Sequence, residues 1–135
     1  MRARDILVVE DDAGIRQTIA ECLEFEGYAV RQAASGDAAL EELARGGLPS
    51  LIFLDVVMPG LNGREILARL RAEPETAGVP VVVMTAAVPA LTGPIDGAAA
   101  LLSKPFDLSE LLDVTARFCG PPALRDGAAT VCPGP

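Results

Sequence analysis

Side chains that could hold a divalent cation and attack phosphorus stand at two places in this chain: Glu10, Asp11 and Asp12 in a row, and Asp55 alone. Thr85 and Lys104 supply a hydroxyl and an ammonium further along. Carboxylates brought together repel one another unless a cation sits among them. Mg²⁺ suits such a set, because it takes oxygen ligands: one or two carboxylates with waters and a phosphoryl oxygen. A carboxylate beside that ion can be a nucleophile towards phosphorus and give an acyl phosphate. Thr85 and Lys104 would then neutralise the phosphoryl oxygens. Taken singly, each residue has an ordinary reading. Asp12 suits a helix start, Asp55 could open the turn at Met58-Pro59-Gly60, Thr85 could close a strand, and Lys104 could be a solvated charge before Pro105. Taken together, their placement at four strand ends favours one shared site.

Asp11 and Asp55 lie 44 positions apart, so the fold must bring them together. Ile6-Leu7-Val8-Val9, Leu51-Ile52-Phe53-Leu54 and Val81-Val82-Val83-Met84 are continuous apolar runs, as parallel strands covered on both faces require. Tyr28 to Ala33 alternates like an edge strand, and Leu101-Leu102-Ser103 is a fifth candidate. Between them run amphipathic helices. Ile15, Ile19, Cys22 and Leu23 share one face, with Asp12 as cap and Gly27 as stop; Ser35 caps a second helix that ends at Gly46-Gly47. Asn62 caps a third that stops before Pro74, and a last one carries Leu108, Leu111, Leu112, Thr115 and Phe118 up to Gly120-Pro121-Pro122. Strands alternating with helices give an α/β fold with a parallel sheet. Sites in such sheets form beyond the carboxyl ends of the strands, at the topological switch point. Glu10 and Asp11, Asp55, Thr85 and Lys104 follow or end the first, third, fourth and fifth strands.

Half the 135 residues are hydrophobic, mean hydropathy is +0.36 and only 4% are aromatic, which allows one aliphatic core. We expect one domain over residues 1–120 and a disordered Pro/Gly-rich tail over 121–135, too short for a DNA-binding output domain. A net charge of −8 argues against nucleic acid as a direct partner. No run is long enough to span a membrane, and Met1-Arg2-Ala3-Arg4-Asp5 lacks the apolar stretch of a signal peptide, so the expected location is cytoplasmic. Cys22, Cys119 and Cys132 read as free thiols, Cys22 buried on its helix and the others near the tail. The absence of histidine excludes Ser-His-Asp and Cys-His catalysis and any zinc site with histidine ligands. A phosphohistidine, if one takes part, belongs to a partner.

Ile6-Leu-Val-Val-Glu-Asp-Asp12, Leu54-Asp-Val-Val-Met-Pro-Gly60, Met84-Thr-Ala86 and Ser103-Lys-Pro-Phe106, in this order, resemble the response-regulator receiver family over almost all of residues 5 to 118. The resemblance implies a flavodoxin-like, doubly wound five-stranded parallel sheet of order 2-1-3-4-5. It implies Asp55 as phosphoacceptor, Asp11 as a direct Mg²⁺ ligand, Glu10 as an acidic partner acting through water, and the Val57 carbonyl completing the metal shell. Thr85 and Lys104 look like the phosphate-binding pair, with the N–H groups of Val57 and Ala86 near the phosphate and a cis Lys104-Pro105 bond. The donor would be a phosphohistidine on a histidine kinase or histidine phosphotransfer protein, docking over the first helix near Ile15. Such a domain is a phosphoacceptor rather than a conventional enzyme.

Two features depart from the family pattern. The aromatic that commonly stands three residues before the lysine is here Leu101. Pro89, Gly93 and Pro94 leave little room for a regular helix between Thr85 and Lys104, so the expectation is a degenerate or missing fourth helix, a loop or single turn from Val88 to Ala100. In the family that helix belongs to the output and dimerisation face, so an altered output surface follows and a homodimer stays open as a partner. Val57 and Ala87, two beyond Asp55 and Thr85, are apolar where family members often help position water, which implies slow self-dephosphorylation. Two alternatives stand beside this reading. One is an adaptor of the same fold that signals by binding alone. The other is an Mg²⁺-dependent aspartyl phosphohydrolase resembling haloacid dehalogenases, against which Asp55-Val56-Val57 lacks the second aspartate of that family.

Overall fold

Five short apolar runs become strands because their β-branched and leucine side chains can be buried on both faces of one sheet. The structure is a computed structural model and describes residues 5–55, 63–85, 98–103 and 107–119. Its elements are β1 (Asp5–Val9), α1 (Ala13–Phe25), β2 (Ala29–Ala33), α2 (Gly36–Gly46), β3 (Leu51–Asp55), α3 (Gly63–Ala72), β4 (Val81–Thr85), β5 (Ala100–Ser103) and α4 (Leu108–Cys119). All strand pairs are parallel, in the order β2-β1-β3-β4-β5, as expected from the sequence. Most of the 88–100 segment, where the fourth helix was expected to be degenerate or missing, lies outside the described residues, as does the 121–135 tail.

Alternation along the strands divides the core into two layers. Leu7, Val9, Ile52, Leu54, Val81 and Val83 pack with Ile66, Leu67 and Leu70 of α3 and Ala39 of α2. Ile6, Val8, Leu51, Phe53, Val82 and Met84 pack on the other side with Ile19 and Leu23 of α1 and Leu111 of α4. The central strand β3 is buried from Leu51 to Asp55, whereas β2 at the sheet edge is largely open to solvent. No helix among the described residues is long and apolar enough to cross a membrane.

Local chemistry sets the helix ends. Asp12 accepts a hydrogen bond from the Ile15 N–H at 3.0 Å, and Ser35 accepts one from the Ala38 N–H at 3.1 Å, so both expected caps are present. Gly27 stops α1 with φ of 103°, a left-handed conformation open to glycine at no steric cost. Asn62, the expected cap of α3, lies outside the described residues. At α4 the cap is Asp107: its carboxylate accepts from the Glu110 N–H at 3.0 Å, and Glu110 accepts in return from the Asp107 N–H at 3.2 Å.

Two arginines join elements through backbone carbonyls. Arg31 on β2 pairs with Asp5 at 3.1 Å and donates to the Gly47 carbonyl at 2.9 Å, tying the start of β1 to the end of α2. Arg71 donates to the carbonyls of Ala77 and Val79, both at 3.0 Å, and so shapes the turn into β4; partial burial lowers its pKa.

Neither Cys22 nor Cys119 is in a disulfide among the described residues, as expected, but Cys22 is only partly buried, because it sits at the rim of the layer that α1 covers. Burial first, then the nearby Glu21 and Glu26, push its pKa above the ordinary thiol value. Only the thiolate alkylates readily. Cys22 should therefore react with iodoacetamide several-fold more slowly at pH 8 in the folded protein than in urea, as read by peptide mass. Equal rates would contradict this.

Candidate functional site

β1 has β2 on one side and β3 on the other, so the chain leaves β1 in one direction and returns across it to form β3. This is the switch point of the sheet, and the carboxyl ends of β1 and β3 lie side by side there, with Val9 in register with Leu54. The residues that follow, Glu10 and Asp11, are thereby placed next to Asp55.

Glu10, Asp11 and Asp55 each offer a carboxylate oxygen within 4.8 Å of the others. Glu10 is 1% exposed and Asp55 is 4% exposed, while Asp11 is open to solvent. The Glu10 N–H donates to the Ala33 carbonyl at 3.1 Å, extending the ladder between β1 and β2 by one bond. Its Oε2 accepts from the Asp12 N–H at 3.3 Å. Asp12 itself is turned to capping α1, which removes it from the carboxylate cluster.

The fit to Mg²⁺ can be judged from the donor set. All three groups are hard oxygen donors, one is accessible from solvent, and octahedral Mg²⁺ with bonds of about 2.1 Å separates its donors by roughly 3 to 4 Å. Oxygens within 4.8 Å need only a small inward shift, or a water in place of one direct ligand. The cluster fits the ion.

The structure thus brings Glu10, Asp11 and Asp55 together. It places Thr85 at the carboxyl end of β4, one strand beyond Asp55, in register with Ser103 of β5. Lys104, Val57, Ala86 and the Lys104-Pro105 bond lie outside the described residues. Leu101, in place of the family's aromatic, is 38% exposed on the edge strand β5.

Sequence reading missed Arg16. Its Nη1 donates to the Glu10 carbonyl at 2.9 Å and its Nε donates to Gln32 Oε1 at 3.2 Å. Its place one turn after the acidic run was the one available signal.

The chain is similar in sequence and fold to known proteins. The response regulator MprA of Mycobacterium leprae is 41% identical over 110 residues, covering 79% of this chain and 47% of that protein. An uncharacterized transcriptional regulatory protein of Bacillus subtilis, YkoG, is 41% identical over 115 residues, covering 83% of this chain and 49% of that one. The chain therefore spans about half the length of these curated relatives. Among solved structures, the Vibrio cholerae chemotaxis protein CheY4 superposes with a TM-score of 0.75 at 30% identity, covering 84% of this chain and 97% of that chain. The response regulator receiver domain profile matches residues 6–116, the stretch that runs from β1 into α4 and contains the carboxylate cluster. With its sheet order and its acidic switch point, the chain belongs to the response regulator receiver domain family of two-component signalling.

Proposed function

We propose that this domain takes a phosphoryl group from a partner's phosphohistidine onto Asp55 in an Mg²⁺-dependent reaction. The observation that carries the reading is the carboxylate cluster at the switch point, with Asp55 nearly buried beside Glu10 and Asp11. A carboxylate oxygen of Asp55 forms the new bond to phosphorus as the phosphorus–nitrogen bond of the partner's imidazole breaks, leaving an acyl phosphate. The bound cation would offset the charge gathering on the phosphoryl oxygens, held by Asp11 and Asp55 directly, Glu10 through water, and the Val57 carbonyl. Thr85 and Lys104 would take the remaining phosphoryl oxygens.

The donor in this reading is a histidine kinase or histidine phosphotransfer protein meeting the start of α1, where Ile15 is 38% exposed. The domain acts as a phosphoacceptor that assists its own phosphorylation, in the cytoplasm, with residues 1–120 as the working unit. The segment between β4 and β5 then gives it an altered output face.

The test is incubation with acetyl phosphate and Mg²⁺ followed by intact mass. A single phosphate adduct should form on the native chain, vanish with EDTA, and fail to form in Asp55→Asn. Because the residues two positions beyond Asp55 and Thr85 are the apolar Val57 and Ala87, the adduct should decay slowly once donor is removed. Absence of any adduct on the native chain would favour an adaptor that signals by binding alone.

A further inference from the structure

We infer that Arg16, braced by Gln32, is a positioning residue that sets Glu10 and Asp11 in the geometry needed to bind the cation; the inference rests on the proposed metal site. Four residues close a ring of contacts around the end of β1. The Glu10 N–H donates to the Ala33 carbonyl of β2, and the Glu10 carbonyl accepts from Arg16 Nη1. Arg16 Nε donates to the side chain of Gln32, the residue directly before Ala33. The ring therefore joins the end of β1, the first turn of α1 and the edge strand β2.

This ring controls more than Glu10. The Glu10 carbonyl belongs to the peptide group that leads into Asp11, so fixing its direction fixes the plane from which the Asp11 backbone and carboxylate depart. On the far side, the Asp12 N–H is held by Glu10 Oε2, and the Asp12 carbonyl accepts from the Arg16 N–H at 2.9 Å. Asp11 thus sits between two residues whose backbones are both tied, directly or through α1, to Arg16. Asp11 is the solvent-exposed member of the cluster, so its direction depends on the backbone that carries it. Groups that orient metal ligands without touching the metal typically change metal affinity by about ten- to a hundredfold when removed.

Charge alone would give the opposite result. A guanidinium bonded to the Glu10 carbonyl carries a positive charge that repels an incoming cation, so deleting that charge should tighten Mg²⁺ binding if Arg16 acts only through its field. Loss of the brace should weaken binding. Gln32→Ala removes the brace with no change of charge.

The experiment is calorimetric Mg²⁺ titration of the native chain, Arg16→Met, Arg16→Lys and Gln32→Ala at fixed ionic strength, with melting curves in EDTA. Arg16→Met should bind about tenfold more weakly. Gln32→Ala should also weaken binding, by less, and Arg16→Lys should fall between because one ammonium cannot span both acceptors. Metal-free melting temperatures should change far less than in a core variant. Tighter or unchanged binding in Arg16→Met, or unchanged binding in Gln32→Ala, overturns the positioning role while leaving the metal site intact. If Arg16→Met does not fold, Gln32→Ala decides alone. Failure of the native chain to bind Mg²⁺ overturns the proposed site and this inference with it.

Discussion

Asp55→Asn should raise the melting temperature of the metal-free protein and remove most of its response to Mg²⁺. Asp55 is 4% exposed and has two carboxylate neighbours whose oxygens lie within 4.8 Å. At that spacing each like-charge pair costs about 1 kcal/mol in a water-like dielectric, and about four times that at the effective dielectric of a protein surface. Asparagine keeps the size and one acceptor oxygen while removing the charge. A net gain of about 1 kcal/mol corresponds to roughly 3–4 °C for a domain of this size. In the proposed site a bound cation would offset the same repulsion in the native chain, and Mg²⁺ at ten times its dissociation constant should stabilise by about 1.4 kcal/mol. Scanning calorimetry of both proteins, with Mg²⁺ and with EDTA, reads both effects. A variant that melts lower in EDTA and keeps the full Mg²⁺ response would place the cation elsewhere.

Phe53→Ala should have the opposite sign and a larger size. Phe53 is fully buried in the middle strand, packed in the layer that contains Met84, Leu23 and Leu111. Strands on both sides and helices above hold this layer apart, so the neighbours can collapse only partly into the space. Such truncations cost about 3–5 kcal/mol, a large fraction of the 5–15 kcal/mol that holds a typical domain together. The urea midpoint should fall sharply with an unchanged slope, and the melting temperature should drop by about 10 °C or more. A loss below about 1 kcal/mol would mean that this layer is loosely packed.

The two variants also separate what the sequence displays from what it conceals. The core was legible because burial on both faces forces continuous apolar runs, and Phe53 sits inside one of them. Asp12, Gly27 and Ser35 were legible because caps and stops depend on a few adjacent residues. The Asp107–Glu110 reciprocal cap has the same local character, yet the apolar periodicity of the last helix drew attention away from it. The cluster of Glu10, Asp11 and Asp55 was legible for a different reason: strand ends in a parallel sheet converge, so the topology locates residues far apart in the chain. Arg16 with Gln32, and Arg31 with Asp5, could not be read this way. Each pair joins positions on different elements through long flexible side chains, and neither periodicity nor turn chemistry records where a guanidinium will reach.

The sheet order also has a consequence for how the chain acquires its site. Pairing β1 with β3 joins Ile6 to Leu51, 45 positions away, the widest sequence separation of any strand pairing here. Closing a long loop is entropically the most expensive of these steps, and non-local pairing slows folding. During synthesis β1 emerges first, yet its second neighbour follows only after α1, β2 and α2 have been made. The carboxylates meet across this same pairing. Competence to hold a cation at the proposed site would therefore arrive with the last and most distant closure around β1, and Mg²⁺ binding in a refolding experiment would report that step directly.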